Sequence, residues 1–535
     1  MSEPASMRPE GELEEGEAAG RRCHVTVLFS DVCDYTTLAE ALDPEDAYRL
    51  RRYVEQLATG VIRKHGGTIS QFYGDGTLAV FGYPTSEEED ARRAIEAALE
   101  LRELTHGPAL EGLIPSGFRL CMHFGIHSGL VFAREGDSLH GRFELTGDAV
   151  NTAARLCSAA GQDEVIASDS ALRGIEAFYH TELLKDLALK GKRTKVIAAR
   201  VLRPSGVTTR FEARARRGLS TLLGRQSELA QVEALMLEAK GGSARIAALV
   251  GGPGIGKTRL LEELRHRLLG DGITVLRGYC ESYGSLAPLQ PFLHVLRQLI
   301  GTPATASVED SISAVYQLVD RHRDALERHA STLLHVLSLK PWVGAGPTTE
   351  DARLGIAAAF IDLFEALSRN RPLVLIVDDF QWADDLSQHT LARVLESLAG
   401  RPVLALLGTR EVDPSDPLFQ RAHIMPLRPL EANDSALLIR ELLPGALDMG
   451  LTSALYQRSG GNPLFLEELC RALPVDMPIA EGVLDQARVP YTVQGLIQVR
   501  LEQLPPQLSA LLGVASVIGN EFSRELLERA AQDQH

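Results

Sequence analysis

The alternation of apolar and polar positions in the first part of the chain predicts short strands separated by amphipathic helices. The segment "HVTVLFSD" (24–31) places apolar residues at alternating positions, as a half-buried strand does. The segment "PEDAYRLRRYVEQLATGVIRKHG" (44–66) repeats apolar residues at helical spacing and ends in glycine. A second helix is predicted from Ser86, as an N-cap residue followed by acids, to about Thr105. This mixture predicts an α/β layered domain.

Two carboxylates follow predicted strands in this region. Residues 70–82, "SQFYGDGTLAVFG", predict a β-hairpin with Asp75 between two glycines at its tip. Asp-Gly alone is ordinary turn chemistry, but Asp31 also ends an apolar strand. Two acids at strand ends are an economical way to hold two divalent cations for phosphoryl chemistry, and hard oxygen ligands favour magnesium or manganese. The pair therefore predicts a two-metal site.

A polar pair follows on a predicted helix. The segment "GDAVNTAARL" (147–156) places Asn151 and Arg155 four residues apart, hence on one helix face. An amide beside a planar cation suits the binding of a ribose and the neutralisation of a reacting phosphate. Taken alone, such a pair is more often a solvated helix face, so its significance depends on the acids above.

The second part of the chain again alternates apolar strands and helices, up to about Pro429, and is almost entirely helical beyond. The segment "ARIAALVGGPGIGKTRLLEEL" predicts a strand, a glycine-rich turn and a helix. In the pattern G-x-x-x-x-G-K-[ST], loop N–H groups cradle phosphates, the lysine reaches the β- and γ-oxygens, and the hydroxyl binds magnesium. The residues that fit this pattern are Gly251, Gly256, Lys257 and Thr258.

Two further apolar strands end in polar residues. The segment "RPLVLIVDDFQWAD" (371–384) ends its strand in Asp378, which fits the magnesium-binding acid of such sites, and Asp379, which can polarise the attacking water. The segment "VLALLGTRE" ends in Thr409 and Arg410, where a polar sensor of the γ-phosphate is expected. These residues complete a predicted Mg-ATP site.

The composition and the net charge limit the kinds of partner that the protein can bind. The 535 residues predict three or four domains, and a formal net charge of -16 argues against nucleic-acid or anionic-membrane binding, which needs a basic face. No apolar run reaches the length of a membrane span. Residues 1–20 are acidic and lack the apolar core of a signal peptide, so we expect a disordered tail and a cytoplasmic protein.

The cysteines and a histidine pair offer little sign of metal binding. Six cysteines are scattered without a C-x-x-C pair, which argues against a zinc or disulfide framework and favours a reducing cytosol. His123 and His127 lie four apart on a predicted strand, in a segment (118–133) that contains no acid. We interpret them as packing residues.

Four motifs in order resemble a class III nucleotidyl cyclase catalytic domain: "VTVLFSD", "YGDGTLAVFG", "GIHSG" and "GDAVNTAARL". The resemblance implies a ferredoxin-like core and a reaction in which the ribose 3′-oxygen attacks the α-phosphate and pyrophosphate leaves. It implies that Asp31 and Asp75 bind two Mg²⁺ or Mn²⁺ ions, with the Val32 carbonyl as a further ligand. It also implies a homodimer, because family active sites take metals from one chain and the Asn/Arg pair from the other.

The same resemblance implies roles for further residues. Asn151 matches the residue that orients the ribose, Arg155 the one that stabilises the reacting phosphate, and Lys190 the one that holds the triphosphate. Adenylyl cyclases usually have Lys, and Asp or Thr, where this chain has Gln71 and Glu144. Gln71 can meet either purine edge, and the family comparison favours ATP mildly, with GTP left open.

The motifs of the second part resemble the STAND class of signalling P-loop ATPases, relatives of AAA+ proteins: "GRQSEL", "GGPGIGKT", "DDFQWAD", "GTRE" and "GNPLFLEEL". In that class the proline of the last motif contacts the adenine, which implies this role for Pro463. The resemblance also implies a winged-helix-like segment near the end of the chain. Its acidic, apolar character favours packing over DNA binding.

The predicted fold class is α/β throughout, in several domains. The predicted organisation is an acidic tail (1–20), an α+β cyclase domain with a ferredoxin-like core (21–203), a linker (204–221), a P-loop α/β ATPase domain (222–428), a helical lid (429–485) and a winged-helix-like segment (486–535).

Two hypotheses of function follow. The first is a cytosolic adenylyl cyclase that works as a homodimer and is regulated by an ATP-binding STAND-type switch, with an unidentified upstream signal or partner protein. The second is a STAND-type regulator whose cyclase-like module dimerises without turnover. The intact set of Asp31, Asp75, Asn151 and Arg155 favours the first hypothesis.

Overall fold

The structure, a computed structural model, divides the chain into two compact units. The first comprises residues 1–213 and 495–535, and the second comprises residues 214–494. The structure describes residues 21–86, 89–107, 114, 118–135, 143–184, 196–207, 209–215, 218–269, 272–281, 288–302, 306–338, 349–443, 449–473, 506–518, 524, 527 and 529.

The first unit is built on one sheet with the strand order β2-β3-β1-β4-β6-β8-β7, and β5 pairs with β4. The order β2-β3-β1-β4, all antiparallel, is that of a ferredoxin-like core, which confirms the predicted fold. The strands are β1 (Arg21–Val32), β2 (Thr68–Tyr73), β3 (Gly76–Phe81), β4 (Met122–Glu135), β5 (Phe143–Thr146), β6 (Val165–Ser168), β7 (Tyr179–Leu184) and β8 (Ala198–Pro204).

Helices cover the two faces of this sheet unequally. The helices are α1 (Tyr35–Glu40), α2 (Pro44–Lys64), α3 (Asp90–Leu104), α4 (Asp148–Ala159), α5 (Asp169–Leu172) and α6 (Arg210–Ala215), with a 3₁₀ turn at Glu176–Phe178. Helices α2 and α3 cover one face, where Leu28 and Phe81 are fully buried. Helix α4 packs on the other face against Val27 and Val80. We call this second face the α4 face; among the described residues, α4 covers only part of it, and Tyr73 there is 47% exposed.

The start of α3 differs from the prediction. The helix begins at Asp90, and Glu89 occupies the N-cap position without a side-chain cap. The hydroxyl of Ser86 instead donates to Asp90 Oδ2 at 3.4 Å. The predicted Ser86 cap is therefore wrong, and the acid nearest the helix start belongs to a buried ion pair between Asp90 and Arg93.

Gly125 lets α4 approach the sheet. A Cβ atom at this position would collide with the backbone of Ala153 and Cys157 on α4. We expect Gly125→Ala to lower the free energy of unfolding by about 1–3 kcal/mol, as overpacking of a tight contact does. Urea unfolding measures this loss, and hydrogen exchange of β4 peptides shows whether it is located at this contact. The matched control is Gly60→Ala in α2, where a Cβ meets nothing within 4 Å, and a destabilisation equal to that of Gly125→Ala would contradict the explanation.

The second unit begins with a parallel sheet in the order β10-β11-β12-β9-β13. Because its strands are buried on both faces, they read as continuous apolar runs, as parallel strands do. The strands are β9 (Arg245–Val250), β10 (Thr274–Tyr279), β11 (Leu373–Asp378), β12 (Val403–Thr409) and β13 (His423–Pro426).

Helices flank this sheet and continue beyond its last strand, as the sequence predicted. The helices of the sheet region are α7 (Gln226–Lys240), α8 (Lys257–Leu268), α9 (Gln290–Ile300), α10 (Val308–Arg321), α11 (Arg323–Leu326), α12 (Ala330–Val336), α13 (Glu350–Ser368), α14 (Asp385–Ser397) and α15 (Pro417–Gln420), with 3₁₀ turns at Glu327–His329 and Phe380–Trp382.

Three helices form a small core of their own after β13. They are α16 (Ala432–Leu442), α17 (Met449–Ser459) and α18 (Pro463–Ala472), and they bury Leu438, Leu455 and Leu466 between them. In the predicted winged-helix-like segment, α19 (Pro506–Ile518) is described, and most of the rest lies outside the described residues. The domain boundaries within each unit stay predictions.

His294 makes the stability of the second unit depend on pH. Its ring stacks on Tyr279 at 3.6 Å, and burial, together with nearby Arg297, lowers its pKa to about 4. The unfolded chain therefore binds more protons than the folded chain between about pH 6.5 and 4, so stability falls as pH falls through this window.

We expect a loss of about 3 kcal/mol on acidification across that window, from the size of the pKa shift. Urea unfolding at pH 7 and pH 4.5, with His294→Phe as the control, measures the effect. A pH dependence of equal size in the His294→Phe variant would show that other groups cause it.

Candidate functional site

The two predicted metal ligands of the first unit lie together at the end of β1. Asp31 is half-buried near the end of that strand, and Asp75 lies in the turn between β2 and β3. A Cβ atom on Gly76 would lie 3.0 Å from Asp31 Oδ1, so the glycine lets the hairpin tip approach the acid. A shallow depression beside Asp75 is also lined by Tyr35 and Arg51.

The electrostatics of this pair suit a cation. Burial, and then the negative charge of Asp31, raise the pKa of Asp75 to about 6, so the two carboxylates lie close enough to interact. Two carboxylates at this separation repel each other, and a divalent cation between them relieves the repulsion. Among the described residues, no group of three or more His, Cys, Asp and Glu side chains is arranged to hold a metal ion. The remaining ligands would be the Val32 carbonyl, water and phosphate oxygens, a donor set that fits Mg²⁺ or Mn²⁺.

His123 is a site residue that the sequence reasoning missed. It lies directly opposite Asp31 in the register of β1 and β4, with Nε2 3.6 Å from Asp31 Oδ2. The structure therefore gives His123 an acidic neighbour that the sequence did not show, and its role stays a prediction. His127, by contrast, bonds Ser168 Oγ at 2.9 Å. The antiparallel pairing of β1 with β4 was the signal that could have placed His123 beside the acid.

The predicted base-reading residue Gln71 shares the α4 face with Asp31. In the register of β2 and β3 it lies opposite Leu78, which packs on the α4 face, and its side chain is exposed. Beside it, Tyr73 stacks on Phe29 with ring centroids 5.8 Å apart, although Tyr73 stays 47% exposed. An exposed amide next to an uncovered aromatic pair can accept a planar base.

For the other predicted residues of the cyclase site, the described part of the chain shows no contact with the two acids. Asn151 is exposed and Arg155 half-buried on α4, and neither side chain has a hydrogen-bond or ion-pair partner within the described residues. Glu144 lies on β5, where its backbone pairs with Arg134, but its side chain lies outside the described part. Lys190 lies wholly outside the described residues.

In the second unit, the glycine-rich loop joins β9 to α8 as predicted. Gly251 follows β9, and Gly256 stands before α8 at φ 103, a backbone conformation suited to glycine. The ammonium of Lys257, which is 7% exposed, donates to the carbonyls of Gly251 at 2.7 Å and Gly252 at 3.2 Å. The loop and the start of α8 thus form the fold expected to receive phosphates.

The acids of the second unit lie opposite this loop. Asp378 ends β11 and is 3% exposed; burial, and then the charge of Asp379, raise its pKa to about 6, while the nearby Thr258 hydroxyl opposes the rise. Gly408 makes room for it, because a Cβ atom there would collide with Asp378 Oδ1. The structure therefore brings Thr258 and Asp378 together, the two groups predicted to bind magnesium.

Strand β12 lies between the loop strand and the acid strand, which places its end in the site. The Gly251 N–H donates to the carbonyl of Thr409 at 3.2 Å, and the Arg410 guanidinium lies 5.3 Å from the centroid of the Trp382 ring. Thr409 itself is 1% exposed and donates to the Glu411 carbonyl. Arg410 follows directly after this strand end, and its role as a phosphate sensor stays a prediction.

Three carbonyls of the glycine-rich loop are held from outside it. Asn462 Nδ2 donates to the Pro253 carbonyl at 3.0 Å, and the Leu464 N–H donates to the next carbonyl, that of Gly254, at 3.3 Å. The buried Arg225 donates through Nη2 to the Ile255 carbonyl at 2.9 Å. We call these contacts the loop clamp.

The clamp involves residues that sequence reasoning did not single out. Pro463, predicted to contact adenine, is the first residue of α18, next to the capping Asn462. Arg225 belongs to the motif "GRQSEL" and Asn462 to "GNPLFLEEL", so the motifs were visible although these roles were not.

The chain thus joins a unit with a ferredoxin-like core to a unit with a glycine-rich phosphate-binding loop. The family model described as "Adenylate and Guanylate cyclase catalytic domain" matches residues 18–200, and that described as "AAA ATPase domain" matches residues 221–406. The chain therefore contains a class III nucleotidyl cyclase catalytic domain followed by an AAA ATPase domain, which confirms the predicted fusion.

Similar proteins carry one or both of these parts. An uncharacterized protein of Rhizobium meliloti (strain 1021) is 28% identical over 538 residues, which are 98% of this chain and 51% of that protein. Adenylate cyclase 1 of the same organism is 33% identical over 152 residues, which are 27% of this chain and 22% of that protein. The crystal structure of the guanylyl cyclase Cya2 is 28% identical with a TM-score of 0.32, covering 34% of this chain and 93% of that one. The chain thus spans about half of the first relative and less of the second.

No helix in the described part of the chain combines the length and apolar character needed to cross a membrane.

Proposed function

We propose that the first unit converts ATP to 3′,5′-cyclic AMP and pyrophosphate in the cytoplasm, as a homodimer, and that the second unit binds and slowly hydrolyses Mg-ATP to regulate it. The observation that carries the proposal is the convergence of Asp31 and Asp75 at the open end of the sheet. Asn151 and Arg155 support it, because both lie on α4 without partners in the described residues.

In the proposed reaction the ribose 3′-oxygen bonds to the α-phosphorus, its proton passes to solvent, and pyrophosphate leaves with the electron pair of the broken bond. Magnesium or manganese held by Asp31 and Asp75 would lower the charge repulsion between these oxygens. Asn151 would bind the ribose, Arg155 the reacting phosphate, and Lys190 the triphosphate. Gln71 would donate to and accept from the base edge, with Glu144 as its partner in base selection.

The homodimer is proposed from the open part of the α4 face. Tyr73 and Phe29 form an apolar stack there that the described residues leave uncovered, and Asp31 and Gln71 lie on the same face. A second copy packed on this face would cover the aromatic pair and bring its own Asn151 and Arg155 toward the acids. One catalytic site would then contain residues of two chains.

The second unit is proposed as the regulator because its site contains each part that nucleotide binding needs. Lys257 and Thr258 stand at the start of α8, directly after the glycine-rich turn, and the buried Asp378 lies near Thr258. The loop clamp links this turn to α18, so a change of nucleotide has a direct route into the helices that follow the sheet. The input signal, or the partner protein that supplies it, would act on this unit.

The test is direct detection of the product. The purified chain is incubated with ATP, and separately with GTP, in magnesium and in manganese, and cyclic nucleotide is measured by mass spectrometry. More cyclic AMP from ATP than cyclic GMP from GTP supports the proposal, including the recognition of adenine by Gln71. If a folded dimer that binds ATP forms neither cyclic nucleotide, the cyclase proposal fails and the non-catalytic regulator replaces it.

A further inference from the structure

The turn after Asp379 holds a side chain that bridges two strand ends of the ATPase site. Gln381, half-buried in the 3₁₀ turn Phe380–Trp382, donates through Nε2 to Asp379 Oδ1 at 3.0 Å. Its Oε1 accepts the backbone N–H of Arg410 at 3.1 Å. One amide therefore connects the residue after β11 with the residue after β12.

Both bonds fix the polarity of this amide. A carboxylate can only accept, so the nitrogen must face Asp379, and a backbone N–H can only donate, so the oxygen must face Arg410. Neither bond can form if the amide is turned over. The side chain thus fits this one arrangement, and a residue of equal length without the amide would lose both contacts.

The backbone at Asp379 adds to the constraint. Asp379 adopts φ 53, in the left-handed region that a non-glycine residue rarely occupies. Its N–H donates to Asp378 Oδ1 at 2.9 Å, and the Trp382 N–H donates to its carbonyl at 3.0 Å. Strained residues of this kind persist where the surroundings hold them, and they concentrate at functional sites.

These contacts leave part of the carboxylate available. Oδ1 of Asp379 accepts from Gln381, whereas Oδ2 has no hydrogen-bond partner within the described residues. The same turn holds the Arg410 side chain, whose guanidinium lies over the exposed Trp382 ring. One short turn therefore positions both Asp379, predicted to polarise water, and Arg410, predicted to sense the γ-phosphate.

We propose that Gln381 is a positioning residue for ATP hydrolysis, which rests on the ATPase activity proposed above. It holds Asp379 so that Oδ2 faces the attacking water, and it ties that acid to the backbone of Arg410. In the step, the water oxygen bonds to the γ-phosphorus and the bond to the bridging oxygen breaks. ADP leaves with the electron pair, and the water proton passes to Asp379 and then to the product phosphate.

The test separates positioning from a structural role by comparing kcat with ATP affinity. Gln381→Met keeps the length of the side chain but removes both hydrogen bonds. We expect it to lower kcat for ATP hydrolysis by about 10–100-fold, as misplaced catalytic groups do, and to leave the ATP dissociation constant within about twofold. The measurements are steady-state phosphate release and equilibrium binding of ATP to the full chain.

A matched control lies seven residues further on. Gln388, in α14, donates through Nε2 to the Ala383 carbonyl at 2.8 Å and is also half-buried. Gln388→Met makes the same chemical change without touching Asp379, and we expect kcat within about twofold of the wild type, since one neutral hydrogen bond is lost away from the reacting atoms.

A second variant distinguishes the two bonds and guards against misfolding of the first. Gln381→Glu keeps an acceptor for the Arg410 N–H but sets a carboxylate against Asp379, so we expect a loss of kcat similar to that of the methionine variant. Full activity in Gln381→Glu would show that only the tie to Arg410 matters and would overturn the role assigned toward Asp379. Equal kcat in Gln381→Met and Gln388→Met would overturn the proposal while the ATPase stands. No hydrolysis by the wild-type chain would instead defeat the ATPase proposal itself, and the role of Gln381 with it.

Discussion

Replacing Asp75 with alanine will abolish the formation of cyclic nucleotide by the first unit. The expected loss is at least about 10³-fold, because metal stabilisation of the reacting phosphate is worth several kcal/mol and one acid cannot hold two cations. Folding should not suffer, since the change removes one of two carboxylates that repel each other; burial, and then the charge of Asp31, raise the pKa of Asp75. Mass spectrometry of cyclic product and thermal unfolding measure both effects.

The control for this prediction is a carboxylate outside the site. Asp46 lies on α2 and pairs with Arg49 on the surface at 3.2 Å, so Asp46→Ala should retain full cyclase activity. Asp75→Asn tests the charge itself, because it keeps the shape of the side chain. Substantial cyclase activity of Asp75→Asn, with either magnesium or manganese, would contradict a metal-binding role.

Replacing Lys257 with alanine will weaken ATP binding to the second unit by about 100-fold, because a charge-assisted hydrogen bond to phosphate is worth about 1.5–3 kcal/mol. Binding is best measured by calorimetry in an Asp75→Ala background, which removes metal-dependent binding of ATP at the cyclase site. Lys240, exposed at the end of α7, offers the matched control Lys240→Ala. Equal ATP affinity in the two lysine variants would show that the loop does not bind the nucleotide phosphates.

The same variant also tests the regulation. With Asp75 intact, Lys257→Ala leaves the residues of the cyclase site unchanged. A change in the rate of cyclic nucleotide formation would therefore come from the second unit, and we expect one if that unit acts as a switch. An unchanged rate across a range of ATP concentrations would separate the two activities and contradict regulation.

The fold was predictable where the chain repeats simple periods. The strand ending at Asp31 and the hairpin around Asp75 follow from alternation and a turn dipeptide, and the structure has both. The strand, loop and helix around Lys257 were equally predictable, because the glycines there mark a turn with positive φ angles. Local sequence was sufficient for these elements, since their geometry is local.

Contacts between distant segments were harder to predict. His123 lies beside Asp31 only through the pairing of β1 with β4, and no local pattern states that register. Arg225 reaches the glycine-rich loop from thirty positions earlier in the chain and Asn462 from more than two hundred later. In the sequence, Gln381 is one polar residue in a turn. Its contact with the end of β12 is visible only in the folded structure. Sequence patterns gave the motifs, but tertiary packing decides which of their residues meet.

The predicted start of α3 was wrong for a related reason. Ser86 has the chemistry of an N-cap, yet α3 begins four residues later, where the ion pair between Asp90 and Arg93 is buried. Propensity is a weak guide when burial of a charged pair competes with it.

The loop clamp has a mechanical consequence. A nucleotide that reshapes the turn at Pro253 and Gly254 must either carry Asn462 and Leu464 with it or break their hydrogen bonds, at a net cost of roughly 1 kcal/mol each. Carrying them displaces the first turn of α18, and breaking them releases it. In both cases we expect the start of α18 to move when phosphates enter or leave the loop, which would couple this helix mechanically to nucleotide binding.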